Sequence, residues 1–203
     1  MLAITDPADG TVIDEMRLAT VDDVDAAVTA AKSAYTAWST ATPAERGDVL
    51  HALARRMSER AEEYAQTESR QAGKPIRLTR EFDVPGSIDN AVFFAGAARV
   101  LDGRAQGEYM KGFTSSIRRE PIGPVGQVTP WNYPMMMAIW KLAPALAAGN
   151  TVVLKPSDTT PASSVWLAEK LQDILPAGVV NYITNAPADA GAVVEIGRAS
   201  CRE

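Results

Sequence analysis

Between residues 121 and 184 short β-branched runs alternate with helix-length apolar segments, and this alternation constrains the fold more than any other feature of the chain. Residues 125–129 read as a strand. Residues 134–148 read as a helix, kinked or split at Pro144 and capped by Gly149. Residues 151–154 read as a second strand, 161–175 as a helix with proline in its first turn, and 179–184 as a third strand. Strands alternating with helices call for a parallel sheet with right-handed crossovers. The expected fold class is therefore α/β, with a partial Rossmann-like parallel sheet. Such sheets bind ligands outside the carboxyl ends of their strands, so the residues just past each strand are where chemistry is expected.

The first hundred residues read as helical. Val21, Val24, Val28, Ala31, Tyr35 and Trp38 recur at helical spacing. Thr42 suits an N-cap, with Pro43 at the first helical position and Glu45 at the capping-box position. That helix is expected to run to about Ala72, where Gly73 stops it. Arg55, Arg56, Glu59, Arg60, Glu62 and Glu63 form its solvated charged face. A third helical region is expected at 78–101, disturbed at Pro85-Gly86 and closed by Gly103. Residues 107–111 and 113–119 read as a hairpin around Lys111-Gly112.

Composition narrows the function classes. Among 203 residues, 46% are apolar and 22% charged, the balance of a globular, soluble chain. A formal net charge of -5 argues against nucleic-acid and anionic-membrane partners, which select basic patches. No apolar run is long enough for a bilayer span: residues 135–148 fall short and contain Lys141 and Pro144. The N-terminus lacks a basic region followed by an apolar core, so no signal peptide is expected. The single cysteine excludes an intrachain disulfide framework and fits a cytoplasmic location. His51, the only histidine, lies among Leu50, Leu53 and Ala54; it is expected to be partly buried packing, without partners for a triad or a metal site.

Two joints of the alternating region carry chemistry. Thr129-Pro130-Trp131-Asn132-Tyr133-Pro134 follows one strand and opens the next helix. Two prolines stiffen this turn and hold Asn132 in place. The Asn132 amide is neutral and offers two N–H donors, which suits an oxyanion developing on a carbonyl carbon under attack; on spacing alone, the plainer reading of an asparagine here is a helix N-cap. The second joint is Lys155-Pro156-Ser157-Asp158. Lys155 could reach a ribose hydroxyl or phosphate, and Asp158 could accept from an adenosine ribose hydroxyl. That carboxylate would also repel a 2′-phosphate, favouring NAD over NADP. A turn with a solvated lysine accounts for the same residues. No G-x-G-x-x-G fingerprint is present.

Taken in order and spacing, PWNYP, WKLAPALAAGN and TVVLKPS resemble the aldehyde dehydrogenase superfamily, with the likeness extending from about Asp6 to Val194. The resemblance implies that Asn132 is the oxyanion-hole side chain. It implies that Lys155 and Asp158, with Pro156 and Ser157 in the same turn, hold the adenosine ribose, and that Thr129, Pro130 and Trp131 line the cofactor, NAD rather than NADP. Lys141 matches a lysine given a supporting charge-relay role; a structural ion pair is the other reading. Most family members carry glutamate where this chain has Asp158. The runs at 93–99, 107–109 and 114–119 look like the aminobutyraldehyde and betaine-aldehyde branch, implying an aminoaldehyde substrate. Residues 107–120 resemble the family's oligomerisation hairpin, implying a homodimer or homotetramer. Residues 1–106 would be a helical lead-in packing on the cofactor domain, and 121–194 the first half of that NAD-binding domain. A succinate-semialdehyde or acylating-type dehydrogenase, or a nucleotide-binding module without catalysis, shares these joints.

The family reaction needs a cysteine thiolate to attack the aldehyde and a glutamate base to activate water. Both are expected beyond the end of this sequence, so the chain by itself is expected to be inactive. Cys201 stands in Arg198-Ala199-Ser200-Cys201-Arg202-Glu203, unlike the family's Gly-Gln-x-Cys setting. Residues 195–203, read back into codons, spell a common sequencing-adapter string and are expected to be an artefact. The start is expected to be clipped, with TDPADGTVI matching a turn whose preceding strands are absent.

Overall fold

The structure is a computed structural model that describes residues 1–100 and 106–184. It opens on an antiparallel hairpin of β1 (Leu2–Thr5) and β2 (Val12–Met16). This corrects the expectation that the first hundred residues are helical and that no strand precedes the TDPADG turn. The turn is closed by local side chains: Asp6 Oδ1 accepts from the Ala8 N–H at 2.9 Å, Asp9 Oδ1 accepts from the Thr11 N–H at 2.9 Å, and Gly10 takes φ 76°. Its strands are short and mostly exposed, with only Ile4 and Met16 buried, so no clear alternation marks them in the sequence.

Helix α1 (Val21–Thr40) starts at a Thr20–Asp23 capping box, and α2 (Pro43–Glu59) at the Thr42–Glu45 box expected for it. The second helix does not reach Ala72. It breaks at Arg60 (φ −124°, ψ 24°), and α3 (Ala61–Ala72) follows, ending at left-handed Gly73. The buried positions Leu50, Leu53, Ala54 and Met57 continue into Tyr64, Ala65 and Glu68 in the same phase, so periodicity carries no sign of the break. His51 lies off this stripe and is exposed, correcting the expectation of partial burial. The third helical region begins with one turn, α4 (Ile76–Leu78), widens into a π turn (Thr79–Asp83) and continues as α5 (Val84–Ala97). The disturbance falls in the turn before Pro85, because proline has no N–H and its ring crowds the preceding turn. Gly103 lies outside the described residues.

The hairpin of β3 (Gly107–Met110) and β4 (Phe113–Ser115) turns at Gly112 (φ 82°); its second strand stops at Ser115 rather than Arg119. The central sheet is parallel, in the order β5 (Pro124–Val128), β6 (Thr151–Lys155), β7 (Val180–Tyr182). Helix α6 (Pro134–Ala147) crosses from β5 to β6 and runs through Pro144 without splitting; α7 (Ala162–Leu171) connects β6 to β7 and ends a turn before Leu175.

The β6 strand is buried on both faces, as a central parallel strand must be. Val152 and Leu154 join the main core with Leu50, Met57, Met135, Ile139, Leu142 and Leu167, whereas Val153 packs under α1 with Val24, Val28 and Ala31. Thr151 Oγ1 donates to the Ala31 carbonyl at 3.0 Å, fixing α1 on that face. The C-terminal end of α6 receives a positive charge from α2: Arg46 Nε donates to the Ala147 carbonyl at 2.8 Å. Among the described residues no helix is long and apolar enough to cross a membrane.

Candidate functional site

The carboxyl ends of β5 and β6 lie side by side. Val128 pairs with Lys155 in the parallel register, and the Thr129 N–H donates to the Lys155 carbonyl at 3.1 Å. The two joints therefore form one edge. Thr160 Oγ1 reaches the Trp131 carbonyl at 3.4 Å and ties the turns together beyond the strands. Trp131 is 63% exposed and Pro130 is exposed beside it, whereas Pro156 is buried and shapes the base of the second turn. The Thr129 side chain is buried, yet its hydroxyl finds no partner among the described residues. A buried hydroxyl left unpaired costs about 1–3 kcal/mol.

Lys155 and Asp158 meet each other. Lys155 Nζ lies 2.6 Å from Asp158 Oδ1 and 3.5 Å from the Pro156 carbonyl, and the lysine side chain is 13% exposed against 55% for the aspartate. The lysine is thus held at the strand end by an acid that still faces solvent. A hydroxyl both donates and accepts, so an adjacent ammonium and carboxylate suit a diol. Ser157 Oγ pairs with Thr159 Oγ1 at 3.0 Å within the same turn.

Asn132 does not cap α6. Tyr133 occupies the N-cap position, and no cap hydrogen bond comes from its side chain. The Asn132 amide is exposed, has no hydrogen-bond partner among the described residues, and lines a cleft with Lys74, Phe82, Asp83, Met136 and Trp140. Lys74 Nζ lies 2.6 Å from Asp83 Oδ2 and 3.7 Å from the centre of the Tyr133 ring. Lys141 stands two turns along α6 from Pro134. It is half-buried, with no ion pair among the described residues, and its carbonyl accepts from Gln127 Nε2 at 2.8 Å.

The sequence reading missed the group beneath both joints. Glu68 on α3 is fully buried, and its Oε1 accepts from the Met135 N–H at 3.0 Å, from Gln71 Nε2 at 3.1 Å and from Ser163 Oγ. Gln71 Nε2 also bonds Ser163 Oγ at 2.6 Å. Burial pushes the Glu68 carboxyl up to about 7, against the lowering effect of Ser163, the Met135 N–H and the charge of Lys74. The readable signal was an acid in the apolar phase of a helix, one step beyond Tyr64 and Ala65.

Comparison with known proteins gives a consistent picture. The sequence model described as "Aldehyde dehydrogenase family" matches residues 1–195. The chain is 43% identical over 185 residues to the EPTC-inducible aldehyde dehydrogenase of Rhodococcus erythropolis, covering 91% of this chain and 36% of that protein. It is 42% identical over 185 residues to the fluoroacetaldehyde dehydrogenase of Streptantibioticus cattleyicolor, again 91% and 36%. Among solved structures, the NAD+ complex of an aldehyde dehydrogenase from Bacillus cereus matches with TM-score 0.91 at 36% identity, covering 95% of this chain and 40% of that one. A betaine aldehyde dehydrogenase from Staphylococcus aureus, also with NAD+, matches with TM-score 0.90 at 34% identity, covering 95% and 40%. The chain thus spans well under half the length of these relatives.

Proposed function

The chain belongs to the aldehyde dehydrogenase family, and from this we propose that the family-length enzyme containing it oxidises an aldehyde to the carboxylic acid with NAD. The observation that carries the reading is the pairing of Lys155 with Asp158 at the strand edge that also holds the unpartnered Thr129 hydroxyl and the uncommitted Asn132 amide. These groups fit a dinucleotide: Lys155 and Asp158 would hold the adenosine ribose diol, and Thr129, Pro130 and Trp131 would flank the cofactor, with Pro156 and Ser157 shaping the second turn. When bound, NAD supplies the hydride acceptor. Asn132 would direct an N–H at the substrate oxygen as negative charge develops there. Asp158 favours NAD over the 2′-phosphorylated cofactor by like-charge repulsion. Lys141 would act at a distance as a supporting charge.

The nucleophile and base of the family reaction are not assigned to any described residue, and the one cysteine, Cys201, lies outside them. We propose that the 203-residue polypeptide alone binds NAD without turning over. Calorimetric titration with NAD tests the first half: binding should be measurable and weaken about tenfold in Lys155→Ala, the loss expected for one charge-assisted contact. No binding by the folded chain would overturn the site assignment. Steady NADH formation from an aldehyde would overturn the second half.

Two substrate readings differ in one observation. The runs at 93–99, 107–109 and 114–119, and the likeness to a betaine aldehyde dehydrogenase, support an aminoaldehyde. The cleft beside Asn132 supports a neutral aldehyde, because its carboxylate, Asp83, is already paired with Lys74 and the Tyr133 ring already faces a cation. The ratio of kcat/KM for an amino-terminated aldehyde to that for its neutral analogue separates them. The exposed Tyr109, Met110 and Phe113 of the β3–β4 hairpin support subunit pairing in a homodimer or homotetramer, a state that sedimentation of the family-length enzyme would reveal. The low cysteine content supports a cytoplasmic location.

A further inference from the structure

We propose that Glu68 is a positioning residue that couples the two joints, setting the Asn132 turn through Met135 and the turn after Lys155–Asp158 through Ser163. The inference rests on the reading above for its functional consequence, but its structural basis is independent of it.

Neither helix at this edge caps itself. Helix α6 begins at Pro134 behind Tyr133, and α7 begins at Ala162 behind Pro161; no side-chain cap hydrogen bond is made at either start. A helix start leaves its first N–H groups unpaired and carries partial positive charge. Glu68 supplies what α6 lacks, from 67 residues away in the sequence, by accepting the Met135 N–H. The same oxygen accepts from Ser163 in the first turn of α7, 95 residues away. One carboxylate oxygen therefore fixes the start of the helix that follows Asn132 and the start of the helix that follows Asp158. A change in either turn must be felt in the other through this oxygen, because both turns are anchored to the same buried point on α3.

The second carboxyl oxygen, Oε2, has no partner among the described residues, and neither has Gln71 Oε1. A proton on Oε2 converts one of two orphaned acceptors into a donor. The ionisable groups whose charge acts on Glu68 are Lys74, from the segment after α3, and Asp83, from the π turn, and these two pair with each other. The first turns of α6 and α7, residues 134–137 and 162–165, carry no ionisable side chain. The anchoring carboxyl is thus the titrating element under both joints. Its folded-state pKa is raised, so its favourable contribution is full at low pH and is lost as pH climbs through about 7.

Peptide-resolved hydrogen exchange of the 203-residue chain, with NAD titration in parallel, tests this. In Glu68→Ala, segments 129–137 and 155–165 should both exchange up to about tenfold faster, the factor for one lost hydrogen bond, while α2 is unchanged. Met57→Ala, a core variant on α2, serves as the control for general loosening and should speed exchange throughout. Wild-type protection of the two segments, corrected for the intrinsic rate, should fall as pH rises toward 7 and beyond. Glu68→Gln, which keeps an acceptor oxygen but cannot ionise, should fold like the wild type and flatten that pH profile. A response in only one segment, a uniform rise matching Met57→Ala, or an unchanged pH profile in Glu68→Gln would each overturn the proposal. If the exchange pattern holds but the wild-type chain binds no NAD, the positioning role stands and the cofactor reading falls.

Discussion

The turn after β5 and the turn after β6 stand side by side at one sheet edge and solve opposite problems. The first leaves its polar side chain, Asn132, uncommitted and takes its rigidity from two prolines and from Glu68 on another helix. The second commits its own polar side chains, with Lys155 and Asp158 paired at 2.6 Å and Ser157 bonded to Thr159, and it meets the same Glu68 oxygen through Ser163. A group that must meet charge appearing during a reaction cannot already be engaged, so its support has to come from elsewhere. Groups that hold a ligand's diol gain from being pre-arranged by one another.

The comparison predicts mutational effects of different kinds. The largest is expected at Asn132. In the family-length enzyme Asn132→Ala should lower kcat by about 10²–10³-fold, yet shift thermal stability by less than about 0.5 kcal/mol, since the side chain is exposed and unpartnered. Steady-state kinetics and a melting curve on the same preparation check the split; a large loss of stability would mean that Asn132 is structural after all. Next in size is Thr129→Val. It removes an orphaned buried hydroxyl, so the chain should gain about 1 kcal/mol; denaturant unfolding measures the gain. The smallest is expected in the second turn: Asp158→Asn breaks a pair whose acid is 55% exposed, and should cost under about 1 kcal/mol of stability. A drop of several kcal/mol there would erase the contrast between the turns.

Much of the local structure was legible in the sequence. The Thr42–Glu45 capping box, the β-branched run of β6 and the proline-flanked Asn132 turn are local signals, and each stands where local chemistry places it. What escaped is non-local. The break at Arg60 interrupts no periodicity, because the buried stripe of α2 carries on in phase through α3. The β1–β2 hairpin buries little and alternates weakly. Asn132 could be read as an N-cap because the true anchor of α6, Glu68, lies 67 residues earlier. An acid in an apolar helical phase announces that a partner exists but not which one. The pairing of Lys155 with Asp158 was within reach of their spacing, yet spacing alone could not separate mutual pairing from two independent contacts to a ligand.

The grip of β6 on α1 has a consequence in time. Thr151 Oγ1 donates to the Ala31 carbonyl across 120 residues, and Thr184 Oγ1 to the Arg17 carbonyl across 167. A ribosome adding roughly 5–20 residues per second makes Ala31 roughly 6–24 s before Thr151. During that interval the stripe of Val24, Val28 and Ala31 has no sheet to rest on. This helix thus leaves the ribosome well before the strand that receives it, and its apolar face is a surface a chaperone could hold in the meantime.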